Sequence, residues 1–330
     1  MAPAIESRPR NDESLPAGPP APLDVTERLA MAEEWQARTR ETYRGGVLPP
    51  IIYSFTPPFL FDCRLNSTRR MGIGDQLCLL SAIQAVAWRV GEDNVLIWYD
   101  ADYPGSADVF GMTGLPVSSR GVSGEYPQGY TVIPCRGHIM ESPIRASAPC
   151  LYGELKGSPI AQILWGWGWH NLIGGHSIRL GLWPDRGATN RAKGVAAQYA
   201  PYVTCTPLEV SRHNNNCGVD AWRSLLMRVD PSNTILFGCG PGDKGQLSAM
   251  IAAMNLPHKG AVIVEPLPVW KAIIDMAWEN YTGNSCGMWL SFASRTRTYL
   301  LQHDDPKHTH NMMWNYKESW GCRNVEIINA

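Results

Sequence analysis

The feature that most constrains the fold is an alternation of short apolar runs and longer helical segments in the second half of the chain. Runs of strand length are separated by glycine-rich turns and by segments with helical periodicity. The predicted strands are 202–206, 234–237, 260–264 and 298–301, and the predicted helices are 219–229, 244–254 and 269–278. Because consecutive parallel strands need a crossover, this order predicts a parallel sheet with helices on both faces.

The first half repeats this organisation once in a clear form. An apolar helix ending at Arg89 is predicted to follow the segment 71–76, and a buried strand is predicted from Asn94 to Tyr99. With the preceding β-rich segment 49–55 these elements make a βαβ unit. A chain of 330 residues is long enough for two such domains. The fold class is therefore α/β.

Four segments are predicted along the chain. They are 1–45, a proline-rich disordered tail and an N-terminal helix; 46–190, a first Rossmann-like domain; 191–305, a second Rossmann-like domain; and 306–330, a C-terminal helix in a position to pack back on the first domain.

Composition excludes several functional classes. A net charge of -1 gives no field that would attract nucleic acid, and no apolar run approaches the length of a membrane span. The N-terminus does not have the basic-then-apolar order of a secretory signal, so we expect a cytoplasmic protein. The nine cysteines are scattered without a Cys-x-x-Cys pair, which predicts reduced thiols that mostly pack in the interior and no zinc site.

The first motif is Gly72-Ile73-Gly74-Asp75-Gln76 at the start of a helix. Glycines permit a sharp turn there, and the helix N-terminus favours an anionic or polar group. Asp75 has two interpretations. It is either a first-turn acid that complements the helix dipole, or a general base facing a cleft between the domains.

The second motif is Gly238-Cys239-Gly240-Pro241-Gly242-Asp243-Lys244, which joins a strand to a helix. This arrangement places backbone N–H groups at the carboxyl edge of a parallel sheet, where such folds bind ligands. The spacing matches neither the dinucleotide fingerprint nor a Walker loop, and a simple tight connection remains the alternative.

The third motif is Thr282-Gly283-Asn284-Ser285-Cys286-Gly287-Met288. Small polar residues with two glycines before a helical stretch suit phosphate oxygens held by N–H and hydroxyl donors. Glu265 follows a predicted strand nearby, a position from which it would accept a hydrogen bond from a ribose hydroxyl.

These three motifs, in this order, resemble those of heptosyltransferase-type glycosyltransferases of the GT-B class. The first is similar to the family's Gly-x-Gly-Asp opening, the second to its Gly-Gly-Pro-x-Glu turn, and the third stands where the family has Asn-Asp-Thr-Gly. The resemblance implies two Rossmann-like domains facing a central cleft and sugar transfer from a nucleotide diphosphate donor without a metal or other cofactor.

The resemblance also implies roles for individual residues. Asp75 would be the catalytic base. Arg212 follows a strand where the family keeps a basic residue, and it would neutralise the leaving group unless it is a solvated loop residue. The predicted donor-binding residues are Arg212, Gly238, Gly240, Gly242, Lys244, Glu265, Asn284, Ser285, Cys286 and Gly287.

An aromatic segment, Trp165-Gly166-Trp167-Gly168-Trp169-His170, supplies further candidates for the acceptor site. Alternation would place the three tryptophans on one side of an extended chain, as a stacking surface or as loop packing. The predicted acceptor-binding residues are Gly74, Gln76, Trp165, Trp167, Trp169 and His170. The histidines around Asp304-Asp305 are typical of a helix-capping loop rather than a metal site.

The sequence thus predicts a metal-independent inverting glycosyltransferase that uses a nucleotide-sugar donor and a small-molecule, glycan or nucleoside acceptor. Two alternatives stay open. One is a glycosyltransferase-like binding protein without activity, because Ser285-Cys286 replaces the family's Asp-Thr pair. The other is a transferase acting on nucleosides or nucleic-acid bases, for which the tryptophan segment would be the stacking surface.

Overall fold

The computed structural model describes residues 57–64, 72–120, 125–135, 180–208, 217–302 and 324–329, which form two parallel β-sheets with helices packed on them. The strands are β1 (Phe59–Cys63), β2 (Val95–Tyr99), β3 (Val117–Ser119), β4 (Thr131–Pro134), β5 (Tyr202–Thr206), β6 (Thr234–Gly238), β7 (Gly260–Ile263), β8 (Glu279–Thr282), β9 (Arg297–Gln302) and β10 (Val325–Asn329). The α-helices are α1 (Ile73–Val90), α2 (Ser106–Gly111), α3 (Arg186–Tyr199), α4 (Val219–Leu226), α5 (Lys244–Met254), α6 (Leu267–Met276) and α7 (Cys286–Phe292).

The first sheet has the strand order β3-β2-β1-β4. Every residue of the central strand β1 is buried, as expected for a parallel strand covered on both faces. Its register with β2 pairs Phe59 with Val95 and Asp62 with Trp98.

The second sheet has the strand order β10-β9-β8-β5-β6-β7. Counted within this sheet, that is 6-5-4-1-2-3, the doubly wound order typical of dinucleotide-binding Rossmann domains. The connections reverse direction between β5 and β8, so the loops that follow these two strands border the crevice where such sheets bind ligands.

Both sheets contribute to one hydrophobic cluster. It contains Phe59 and Leu77 from the first sheet and its helix α1, and Trp270, Met288 and Leu300 from the second sheet and its helices. The opposite face of the second sheet packs against α4 and α5 in a separate cluster. The two Rossmann-like units therefore meet through a hydrophobic contact.

The periodic elements agree closely with the sequence prediction. The observed α5 coincides with the predicted helix 244–254, and α1, α6 and β9 differ from their predictions by a few residues at the ends. Such end differences are normal, since helix ends fray and terminal turns vary. The α/β class with two Rossmann-like units is confirmed.

Several elements were not predicted, among them β1, α2 and β3 around the first sheet, and α3, β8 and β10 later in the chain. Helix α3 buries only Ala192, so it lacks an apolar stripe that sequence periodicity would reveal. Strand β8 is four residues long, and β10 occupies part of the 306–330 segment for which a helix was predicted. The prediction for the end of that segment is wrong, because Val325–Asn329 pairs in parallel with β9.

Several other predictions lie outside the described residues. They are the disordered tail and helix of 1–45, the β-rich segment 49–55 and the part of the predicted C-terminal helix that precedes residue 324.

Candidate functional site

The third sequence motif lies where the second sheet changes direction. The Gly283 N–H donates to the Thr206 carbonyl at 3.0 Å, which joins the end of β8 to the end of β5. The Ser285 side chain then caps α7 by accepting a hydrogen bond from the Gly287 N–H at 3.2 Å. The motif therefore occupies the topological switch point that the strand order defines.

Close packing explains the glycine at 287. A Cβ atom there would lie 2.7 Å from both the Thr206 Cβ and the Thr282 Oγ1 atoms. Only glycine lets α7 approach the strand ends this closely, so Asn284, Ser285 and Cys286 are held at the sheet edge with their side chains partly exposed.

The second motif borders the same strand end through Trp270. The Trp270 indole N–H donates to the Thr206 hydroxyl at 3.2 Å. A Cβ atom on Gly238 would lie 2.3 Å from the Trp270 ring. After Gly238 the chain forms a short 3-10 turn, Pro241–Asp243, and Lys244 begins α5 with an exposed side chain.

The first motif reaches the third through Trp289 of α7. A Cβ atom on Gly74 would lie 2.7 Å from the Trp289 Nε1 atom, so the first turn of α1 packs directly on this ring. The Asp75 Oδ2 atom accepts a hydrogen bond from the Gly72 N–H at 3.0 Å. The structure thus places Asp75 as a capping acid at the helix start, and it brings all three motifs to one region.

A hydrogen bond also crosses between the two Rossmann-like units. The Asp108 Oδ2 atom of α2 accepts from the Leu267 N–H, the first residue of α6, at 3.3 Å. An acid at a helix N-terminus satisfies an otherwise unpaired N–H and complements the dipole. Here the acid comes from the other sheet's helix layer.

Three residues that were predicted to bind the acceptor or the donor contact other parts of the protein in the structure. Gln76 is buried, and its Oε1 atom accepts from the Ser106 hydroxyl at 2.9 Å, so it packs α1 against α2 and does not line an acceptor site. Gly74 likewise faces Trp289. Glu265 lies 2.7 Å from the Arg191 Nε atom of α3, so this carboxylate is already ion-paired.

Five other predicted site residues lie outside the described residues. They are Arg212, Trp165, Trp167, Trp169 and His170.

Burial raises the pKa values of the two thiols near the site. Burial raises the pKa of Cys286 to about 11, and burial also raises the pKa of Cys239. The seven cysteines within the described ranges are free, and five of them are buried, which confirms for these residues the prediction that the thiols pack in the interior.

A buried charged cluster at the first sheet's carboxyl edge was missed by sequence reasoning. Arg64 is bound to Asp62 through Nε–Oδ1 and NH2–Oδ2 contacts of 2.7 and 2.9 Å. The Tyr126 hydroxyl donates to the same carboxylate at 2.6 Å. The hydrogen bond to Asp62 raises the pKa of Arg64 against the opposite effect of burial. The detectable signal was an acid inside an apolar strand with an arginine two residues later.

Two kinds of feature are absent from the described residues. They contain no group of three or more His, Cys, Asp or Glu side chains arranged to hold a metal ion. None of the helices within the described ranges has both the length and the apolar character of a membrane-crossing segment.

Comparison with known proteins identifies the fold class. No protein-family model matches the sequence, and no curated protein matches it. Solved structures match in fold: a family 9 glycosyl transferase from Veillonella parvula superposes with a TM-score of 0.56 at 9% identity, covering 84% of this chain and 88% of that one. These similarities assign the chain to the GT-B fold.

A second match is the E. coli ADP-heptose lipopolysaccharide heptosyltransferase II. It superposes with a TM-score of 0.53 at 9% identity, and the match covers 82% of this chain and 90% of that chain. The fold implied by the sequence resemblance is therefore confirmed over most of both chains.

Proposed function

We propose that the protein is a glycosyltransferase that moves a sugar from a nucleotide diphosphate donor to an acceptor hydroxyl. The observation that carries this proposal is the convergence of the three glycine-containing motifs where the doubly wound second sheet changes direction. The fold shared with two solved glycosyltransferases supports the same reaction class.

The donor diphosphate is assigned to the edge of the second sheet. The Gly240–Lys244 turn follows β6 and the Asn284–Gly287 turn follows β8, and each leads into a helix at this edge. A cation in the first turn of a helix opposes the helix dipole, and a bound anion would relieve this at Lys244. Arg212, which follows β5, is proposed as a second cation for the leaving group.

The acceptor is assigned to the edge of the first sheet, with Asp75 as general base. Its Oδ2 atom is held by the Gly72 N–H, and Oδ1 is the atom that we assign to take the proton. The acceptor oxygen attacks the anomeric carbon, the bond from that carbon to the diphosphate oxygen breaks, and the nucleoside diphosphate leaves. A single displacement of this kind inverts the anomeric configuration. Charge stabilisation by the protein alone would make the reaction independent of metal.

Nucleotide binding tests the donor site. Melting temperatures are measured with ADP, GDP, UDP, CDP and dTDP, because a ligand that binds only the folded state raises the melting temperature. We expect a shift with at least one nucleotide, and a smaller shift in Lys244→Gln. Lys259→Gln is the matched control, since Lys259 is an exposed lysine at the opposite, amino end of β7. Equal shifts in both variants, or no shift with any nucleotide, would contradict the donor assignment.

Turnover tests the base. Asparagine at position 75 can still accept from the Gly72 N–H but cannot take a proton. Asp75→Asn should retain the nucleotide-induced shift and lose on the order of 100-fold or more in transfer rate, the usual effect of removing a general base. Transfer is followed as nucleoside diphosphate release, with and without EDTA. Nucleotide binding without release in the wild-type protein would instead indicate a binding protein without activity.

A further inference from the structure

Two buried thiols meet at the carboxyl edge of the first sheet. The register of β1 with β4 pairs Asp62 with Pro134. The Cys135 N–H donates to the Asp62 carbonyl at 2.9 Å, which extends the same parallel ladder by one position and sets Cys135 beside Cys63. The Cys63 and Cys135 side chains are hydrogen-bonded to each other. This edge of the sheet therefore holds a pair of neighbouring thiols.

Both thiols lie on the face of the sheet that carries α1. Cys63 and Cys135 belong, with Leu77 of α1, to the hydrophobic cluster shared by the two sheets. Because side chains alternate along a strand, the Asp62 carboxylate lies on the opposite face. Cys63 is 1% exposed and Cys135 is 8% exposed. The thiol pair is thus separate from the Asp62 ion pair, although the two are adjacent in sequence.

The backbone geometry permits a disulfide between these two residues. Neighbouring strands lie about 4.7–4.9 Å apart, and the Cα atoms of disulfide-bonded cysteines are about 4.4–6.8 Å apart. Register partners carry their side chains on the same face, so two thiols already in contact need only a rotation about their Cα–Cβ bonds to join. Both cysteines are free in the structure. The pair is therefore held as a dithiol in a place where a bond between the sulfurs can form.

The surroundings of Cys135 determine how an oxidant reaches the pair. Burial, the neighbouring Cys63 thiol and the Asp62 carboxylate raise the pKa of Cys135, which slows its reaction because the thiolate is the nucleophile. Cys135 directly follows β4, a strand of four residues at the edge of the sheet that the described residues form. Sheet edges open locally at a lower free energy than the whole fold. A small, uncharged oxidant is suited to such brief exposure.

We propose that Cys63 and Cys135 form a redox site, a dithiol that hydrogen peroxide converts to a disulfide and that a thiol reductant restores. The Cys135 thiolate attacks one peroxide oxygen, the O–O bond breaks, and the departing hydroxide takes up the thiol proton as water. The Cys63 thiol then attacks the sulfur of the resulting sulfenic acid, the S–S bond forms, and a second water leaves. Two thiols are oxidised and one peroxide is reduced to water. This inference does not rest on the proposed function.

Peptide mapping of the full chain tests the proposal. The reduced protein is treated with hydrogen peroxide, denatured, and its remaining thiols are blocked with N-ethylmaleimide. We expect the peptides that contain Cys63 and Cys135 to be joined, with a mass lower than their sum by two hydrogen atoms, and to be separated by dithiothreitol. The oxidised protein should also melt at a higher temperature than the reduced protein, because the cross-link closes a long loop in the unfolded chain.

Variants with single thiols removed assign the melting shift to this pair. Cys63→Ala and Cys135→Ala should each lose the cross-linked peptide and the peroxide-induced shift. Cys205→Ala is the matched control, since Cys205 is a fully buried cysteine of the second sheet, and it should retain both. The melting temperature of each reduced variant shows whether it is folded. If an alanine variant does not fold, the peptide map of the wild-type protein decides the proposal alone.

Three results would overturn the inference. Both thiols could be blocked completely by N-ethylmaleimide after peroxide treatment, which would assign the pair to ordinary packing of the interior. Peroxide could carry either sulfur to sulfinic acid without a cross-link. Either cysteine could instead be joined to a different cysteine of the chain, which would show that the neighbouring thiol is not its redox partner.

Discussion

At the residue scale, the glycines of the three motifs have packing partners that their sequence context does not reveal. Sequence patterns indicated that Gly74 and Gly238 let a backbone approach a ligand. In the structure their missing side chains make room for Trp289 and Trp270, which come from helices distant in sequence. A motif identifies where small residues are needed, but the neighbour that requires them is set by the tertiary fold.

Two glycines of the same turn should therefore respond differently to alanine. Gly238→Ala would place a Cβ atom 2.3 Å from the Trp270 ring and should destabilise the protein by about 1–3 kcal/mol, as overpacking does. A Cβ atom on Gly242 would meet no other atom within 4 Å, so Gly242→Ala should change the free energy of unfolding by less than about 0.5 kcal/mol. Urea unfolding of both variants checks this, and equal losses would contradict the packing argument.

At the scale of elements, hydrophobic periodicity was sufficient for the apolar helices α1, α5 and α6 but not for the polar helix α3 or for the strand β8. This strand, Glu279–Thr282, contains the buried Asn280, whose side chain accepts from the Thr204 hydroxyl at 2.9 Å and donates to the Ser291 hydroxyl at 2.7 Å. A polar strand can occupy a sheet centre when its hydrogen bonds are satisfied. Those partners lie on β5 and α7, so no local pattern could predict them.

One cluster on the second sheet should make stability sensitive to alkaline pH. The Tyr281 and Tyr299 rings stack at 5.0 Å, and both hydroxyls donate to Glu279, at 2.6 and 3.3 Å. Burial, with Glu279 nearby, raises the pKa of Tyr299 to about 12 and that of Tyr281 further. A raised pKa stabilises the folded state below the ordinary pKa of 10, and this stabilisation is lost as pH rises through the folded-state value.

We therefore expect the free energy of unfolding to fall less steeply above pH 10 in Tyr299→Phe than in wild type. Urea titrations between pH 9 and pH 12 measure the slopes. Burial lowers the pKa of Lys271, and this adds stability as pH rises towards 10.5, which opposes the effect of the tyrosines. Because Lys271 is present in every variant, the test compares the slopes of the variants and not the wild-type slope alone. Tyr130→Phe, directly before β4 of the first sheet, is the control. A Tyr299→Phe slope equal to that of the control would refute the argument.

At the scale of the whole molecule, the order of elements predicted two Rossmann-like units, but it gave no information on how they meet. The contact between the units includes the packing of Gly74 against Trp289 and the hydrogen bond that the Leu267 N–H donates to Asp108. Both depend on the relative orientation of two sheets, which side-chain periodicity within each sheet cannot specify. The same limitation applies to the buried cluster of Asp62, Arg64 and Tyr126, whose members come from two separate segments.

Removing the cross-sheet cap should weaken the joint between the units. Asp108→Ala leaves the Leu267 N–H without its carboxylate, and loss of such a cap costs about 0.5–2 kcal/mol. Asp102→Ala, an exposed acid on the preceding turn, should cost less than about 0.5 kcal/mol. Calorimetry compares the two variants, and identical transitions would show that the cap contributes nothing.

The hydrophobic cluster shared by both sheets bears on how such a chain can be recombined. Cutting between the sheets and joining one half to the half of a different GT-B protein would expose the faces of α1, α6 and α7 that now cover each other. A functional chimaera would have to inherit these three helices as a set, together with the strands on which they pack. The segment to be exchanged between proteins of this architecture must therefore include the hydrophobic interface between the halves, and neither half can be exchanged alone.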